Sequence, residues 1–258
     1  MSSSPADVEQ TWWFLVLAGI GAGLCGSVAG LASLVSYPAL LMTGLSPVVA
    51  NVTNTTALLA NAAGAGISSR RELRGQGRRL TVLAAQMTCG GLAGAALLLV
   101  APPEVFAAVV PWLVALGSVL LLGRDRLRRA ASRRSARRTR PSRSWPGHLA
   151  MVGVGVYGGY FGAGAGVILL AVLSLRSVET LAVSNAVKNV GMGMANLAAA
   201  VAYLLVGHVD VPVAALLGLG AFVGGWCGPW VVRWLPEGPL RAAVGICGLG
   251  LAVSLALG

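Results

Sequence analysis

The sequence predicts an all-α polytopic membrane protein with about eight transmembrane segments in two homologous halves. Three observations carry this. First, the composition is 56% hydrophobic and 10% charged, with a mean hydropathy of +0.79, whereas a soluble domain is about 25% charged. Second, apolar stretches occupy 12–43, 46–68, 79–100, 104–123, 147–175, 177–206, 211–233 and 238–257. Most match the roughly 20 helical residues needed to cross a hydrocarbon core. Third, the chain repeats itself. Gly23, Gly26 and Gly30 recur as Gly159, Gly162 and Gly166, an offset of 136 (159 less 23). Asn51-Val52-Thr53-Asn54-Thr55 is echoed by Asn185-Ala186-Val187-Lys188-Asn189, and Pro103-Glu104 by Pro236-Glu237, so the offset drifts only to 134 and 133. Duplication within an apolar chain is the usual architecture of a membrane transporter, with substrate held where the halves meet.

Taken in order, the first and fifth stretches are too long and too Gly-rich for one plain span. They predict a break at Gly26-Ser27-Val28-Ala29-Gly30 and again at Gly162-Ala163-Gly164-Ala165-Gly166. Gly permits positive φ and close backbone approach, and broken backbone survives in a membrane only inside protein or beside a wet cavity. Alternatively these glycines pack helices, as small-xxx-small patterns do. The second to fourth stretches, and the sixth to eighth, are ordinary spans.

Of 18 Arg, five lie in 70–79 and ten in 124–143. Short cytoplasmic loops collect Lys and Arg, so these links are read as cytoplasmic and 101–103 as outside. A net charge of +11 then reports orientation, not nucleic-acid binding. If the long segments cross once, the repeats are parallel and both termini are inside. If each is a hairpin returning to its own side, the repeats are inverted and both termini are outside. Arg176, Arg233 and Arg241 then lie near the cytoplasm, and His208 and Asp210 outside, which charge bias favours. The domain plan is 1–123 as the first repeat, 124–146 as an Arg-rich cytoplasmic linker, expected to be mobile, and 147–258 as the second repeat. Met1 to Gln10 lacks Lys and Arg, so no secretory signal with a basic start is expected. Cys25, Cys89, Cys227 and Cys247 lie in apolar stretches without metal or redox spacing and read as small buried hydrophobes.

Lys188 is the only lysine. At 3.6 residues per turn, Asn185, Lys188 and Asn189 share a helical face, with Asn196 near it two turns on. A charge inside a spanning segment is costly and usually faces the protein interior or a wet cavity. It would attract an anion there, or else pair with backbone carbonyls or snorkel to an interface. The matching region of the first half is polar and neutral: Asn51, Thr53, Asn54, Thr55, Thr56 and Asn61. Amide and hydroxyl donors suit oxyanion oxygens. The broken-helix tips at Ser27 and Gly164 would add backbone N–H donors, since helix N-termini bind anions. The candidate binding set is therefore Lys188, Asn51, Asn54, Thr55, Asn185, Asn189, Ser27, Gly26, Gly30, Gly162, Gly164 and Gly166, with no metal and no cofactor.

All eight acidic residues lie outside the apolar segments or near their ends. That argues against a metal-cation transporter and leaves the coupling ion open. No P-loop sequence is present. No Ser/His/Asp set, H-E-x-x-H motif or carboxylate pair can be assembled, so the chain is not expected to be an enzyme.

Residues 23–40, Gly-Leu-Cys-Gly-Ser-Val-Ala-Gly-Leu-Ala-Ser-Leu-Val-Ser-Tyr-Pro-Ala-Leu, followed by Gly44 to Thr55, resemble the doubled signature of the sulfite exporter TauE/SafE family. Tyr157 to Gly166 repeats it. Gly26, Gly30, Asn51, Thr55, Gly162, Gly166 and Asn185 match motif positions. Asn stands at 51 where the family usually has Gly, and the second half lacks the Pro after its Gly-rich run. The resemblance implies a multi-pass permease of the bacterial inner membrane that moves sulfite, sulfonates or related organosulfur anions. The expected mechanism is alternating access between the repeats. The expected partners are a small anionic substrate and the lipid bilayer, with homo-oligomerisation open. The alternatives are a non-transporting membrane scaffold and a passive anion channel.

Overall fold

The computed structural model describes residues 5–136, 145–176, 179–206, 208–231, 246 and 248–256. Every regular element among them is helical: α1 (Pro5–Ala29), α2 (Ser33–Met42), α3 (Pro47–Ser68), α4 (Arg70–Leu73), α5 (Gly77–Val100), α6 (Pro103–Ala136), α7 (Trp145–Tyr160), α8 (Ala165–Arg176), α9 (Leu181–Val206) and α10 (Val211–Val231). Residues 248–256 are also helical. The Pro236-Glu237 echo, Arg233, Arg241, Cys247, part of the last stretch and part of the linker lie outside the described residues.

Local chemistry sets the helix boundaries. Pro47 opens α3 directly after an extended Ser46, where its missing N–H costs nothing. Asp210 caps α10 by accepting the Val213 N–H at 3.1 Å, as Asp does at a helix start. Gly44, with φ of 85°, turns the chain between α2 and α3.

Both long stretches are broken, and both fold back on themselves. The first leaves α1 at Gly30, whose φ is 78°. A Cβ placed on Gly26 would meet Ala32, and one on Gly21 would touch Val35. As the index falls along α1 it rises along α2, so the pair is an antiparallel hairpin. The second leaves α7 after Tyr160 and turns through Gly162 and Gly164, with φ of 80° and 78°. Its ends also meet, since Arg176 at the end of α8 lies against Gly147 and bonds His148 at 3.2 Å. The two tips touch: a Cβ on Gly166 would stand 2.5 Å from the Gly30 Cα.

The breaks fall a few residues from where the sequence suggests. Gly26, Ser27, Val28 and Ala29 stay helical, and non-helical backbone runs from Gly30 to Ala32 and from Phe161 to Gly164. Gly26 and Gly166 are small for packing, not for backbone freedom.

The remaining helices exchange partners. α10 packs on α1 and α3, and α5 packs on α7 and α9, while α3 and α9 meet at the centre. Glycine permits these approaches: Gly19 and Gly23 lie on the α10 backbone, and Gly90 and Gly94 on the α7 backbone. Without a hydrophobic force between helices in lipid, such close packing supplies the cohesion. An aromatic cluster backs the second break, with Tyr37 and Phe106 set edge-on against Phe161, centroids 5.2 and 6.1 Å away.

Among the described residues, five helical segments are long and apolar enough to cross a membrane: Gln10–Ala29, Gly77–Val100, Pro103–Gly123, Ala182–Val206 and Val211–Trp230. The expected eight are not all of that kind. α3 has 22 residues but many are polar, and α2 and α8 are shorter apolar helices within the hairpins. The described part of the linker before residue 137 is helical. α6 continues past its apolar part to Ala136, because Arg, Ala and Leu are strong helix formers. It is about 50 Å long at 1.5 Å per residue.

Candidate functional site

The polar residues of α3 and α9 lie at the centre, where these helices pass the two hairpin tips. Lys188 is fully buried, at 0% exposure. Its ammonium donates to the carbonyls of Gly26 at 3.1 Å and Ser27 at 3.3 Å. Asn185 and Asn189 donate to the same Ser27 oxygen at 2.8 and 3.2 Å. Three donors from one face of α9 thus hold the C-terminal end of α1. That end carries about half a negative charge, which a nearby cation stabilises. Of the roles open to Lys188, pairing with backbone carbonyls is the one this geometry displays.

The other half mirrors part of this. Asn51 on α3 donates to the carbonyl of Tyr160, the last residue of α7, at 2.8 Å. Each half therefore sends an asparagine into the other half's broken helix. Asn54, aligned with Lys188, does something else. It faces α2, donating to Ser33 Oγ at 3.2 Å and accepting from Ser36 Oγ at 2.5 Å. Thr55 donates to the carbonyl of Asn51 in its own helix at 3.0 Å. Ser27 presents a carbonyl acceptor, not an N–H donor, because it lies inside α1 and not at a helix start. Gly164 precedes α8 and accepts the Val167 N–H at 3.0 Å.

A cavity of about 40 Å³ opens beside these groups. A site needs roughly 10–15 Å³ on this measure to take one water, so the cavity admits a few waters or an ion of a few atoms. Of the sequence-derived candidates, Gly26, Gly30, Thr55, Gly162, Lys188 and Asn189 line it. Asn51, Asn54, Asn185, Ser27, Gly164 and Gly166 do not, and they shape the tips around it. Asn61, Met192 and Asn196 also line the cavity but fall outside the candidate set. The signal for them was the continued helical stripe, with Thr55 to Leu58 to Asn61 and Asn189 to Met192 to Asn196 at spacings of three and four.

The site carries a positive bias. One ammonium against a helix end of about −0.5 leaves roughly half a positive charge, with amide and hydroxyl groups around it. Among the described residues, no cluster of His, Cys, Asp and Glu is placed to hold a metal ion.

The sulfite exporter TauE/SafE family model matches residues 15–255. A curated relative from Sinorhizobium sp, described as "Probable membrane transporter protein ORF9", is 28% identical over 217 residues, covering 83% of this chain and 80% of the relative. No solved structure matches.

Proposed function

The chain belongs to the sulfite exporter TauE/SafE family, and we propose on that premise that it is a permease for a small sulfur oxyanion or organosulfonate. Membership of a membrane transporter family and a helical fold with several candidate spans support a multi-pass transporter. The substrate class, the alternating-access mechanism and residence in the bacterial inner membrane are the finer parts of the proposal.

One observation carries it: two broken hairpins meet tip to tip at Gly30 and Gly166, beside a small cavity lined from both halves. In transporters, substrate sites form where discontinuous helices of two repeats converge. Placing the Arg clusters at 70–79 and 124–143 in the cytoplasm brings the α1–α2 hairpin in from outside and the α7–α8 hairpin in from inside. The repeats are then inverted. Substrate lies against Lys188, Asn189, Thr55, Asn61 and Asn196, and the halves rock about α3 and α9. Asn51 and Asn185 position the broken ends, and do so without touching the anion.

The test is thermal stabilisation of the detergent-purified protein by sulfite, sulfate, thiosulfate, several sulfonates and acetate. A ligand at 100 times its dissociation constant adds about 2.7 kcal/mol. Stabilisation by a sulfur anion but not by acetate supports the proposal. Equal curves with every anion sink it.

A further inference from the structure

We propose that the broken end of α7 binds a monovalent cation, such as Na+, through neutral oxygens, and that this cation is the coupling ion. The ligands are Asn51 Oδ1, the Tyr37 hydroxyl and the carbonyl oxygens that finish α7.

The argument starts from the unequal treatment of two equivalent helix ends. α1 and α7 both stop inside the protein, and each end carries about half a negative charge. At α1 the compensating cation is built into the chain as Lys188, with Nζ 3.1 Å from the carbonyl of Gly26. At α7 the aligned residue is Asn54, which turns away to Ser33 and Ser36. The donors that reach the α7 end are neutral: Asn51 on the carbonyl of Tyr160 and the Tyr203 hydroxyl on that of Gly159.

Two buried oxygens on side chains that touch this break point to what completes it. Asn51 is 0% exposed, and its Oδ1 has no hydrogen-bond partner among the described residues. Its other amide atom is already on the α7 end, so Oδ1 lies at that end too. Tyr37 is 1% exposed and its hydroxyl likewise has no partner, while its ring rests against Phe161 in the break. Buried polar atoms are rarely left without partners. Asn185 Oδ1 is in the same condition, but there the Asn185 amide nitrogen shares the Ser27 carbonyl with an ammonium built into the chain. A carbonyl oxygen has two lone pairs, so that of Tyr160 can accept from Asn51 and still ligate an ion. Unwound backbone carbonyls and half-helix C-terminal ends are the groups by which transporters hold coupling Na+, and amide and hydroxyl oxygens are neutral oxygen donors of the same kind. A cation here and an anion beside Lys188 would offset one another's burial, which couples their binding.

The experiment uses the full chain in detergent. Melting temperature is followed as NaCl, KCl or LiCl replaces choline chloride at constant ionic strength, in the parent, Asn51→Asp, Asn51→Leu and Tyr37→Phe. One alkali cation should raise it saturably in the parent. Asn51→Asp should lower the half-saturating concentration at least tenfold, and Asn51→Leu should abolish the rise. If the Leu variant does not fold, Asn51→Asp and Tyr37→Phe decide, the latter with at least tenfold weaker binding. Parent curves that superimpose in choline and all three alkali cations overturn the proposal, since water alone then completes the site. A half-saturation unchanged by both Asn51→Asp and Tyr37→Phe also overturns it. Titrating sulfite as its choline salt tests the anion site separately, so either idea can fail alone.

Discussion

Replacing Lys188 by Met removes the one fully buried charged side chain among the described residues while nearly keeping its volume. The cost to folding should be small. The Ser27 carbonyl keeps its bonds from Asn185 and Asn189, and the Gly26 carbonyl keeps that from the Gly30 N–H at 2.8 Å. Neither carbonyl is orphaned, and exchanging a buried ionic group for an apolar side chain is often neutral. We expect a stability change under about 2 kcal/mol, not the 3–5 kcal/mol typical of stranding a buried charge. The cost to anion binding should be larger. Unit charges 4 Å apart interact by about 4 kcal/mol at an effective dielectric of 20. The partial charge of the α1 end is present in parent and variant alike, so the change is the whole of that, roughly 4 kcal/mol, or about 700-fold in affinity at 1.4 kcal/mol per tenfold. The assay is the half-saturating concentration of sulfite in thermal stabilisation, with the unliganded melting temperature as the folding control. A folded Lys188→Met protein that binds within twofold of the parent would refute the electrostatic argument.

Asn185→Leu should destabilise by less than about 1 kcal/mol, because Asn189 and Lys188 still reach Ser27, whereas Asn51→Leu removes the amide that bonds the Tyr160 carbonyl and should cost about 1–3 kcal/mol. Thermal melts of the two variants check the difference. Gly166→Ala should abolish transport, since its Cβ would stand 2.5 Å from the Gly30 Cα. Gly44→Ala meets no atom within 4 Å but keeps a φ of 85°, so its cost is left-handed strain of about 1–2 kcal/mol with transport retained. Flux and melting temperature on both glycine variants separate tip contact from backbone strain. In a cysteine-free background, His208→Cys should react with an impermeant thiol reagent from outside whole cells, and Arg74→Cys only after lysis, if the repeats are inverted.

The broken helices were legible because a glycine spacing repeated in two places marks a constraint on both. The exact break was not. Gly26 and Gly30 look alike in sequence, but one is small to admit Asn61 and Ala32, while the other takes positive φ. Hairpin against single crossing was also left open, because charge bias rested on three arginines, and it is tertiary contacts such as Gly21–Val35 and Gly147–Arg176 that show the returns. Lys188 stood out as a lone interior lysine. Its partners did not, since the Gly26 and Ser27 carbonyls lie more than 160 residues away in sequence and backbone acceptors leave no trace in residue identity. The same holds for Asn51 and Tyr160. Asn61 and Asn196 were visible as polar residues on the right faces. Their place in the cavity depends on how α3 and α9 pass the tips, which is a tertiary fact.

The most direct test of a substrate site between two rocking halves is sulfite counterflow in proteoliposomes. Vesicles loaded with unlabelled sulfite should take up labelled sulfite faster than empty ones, and the initial rate should saturate with concentration. A flux that rises linearly and ignores internal sulfite would mean an open anion pore, and would contradict alternating access.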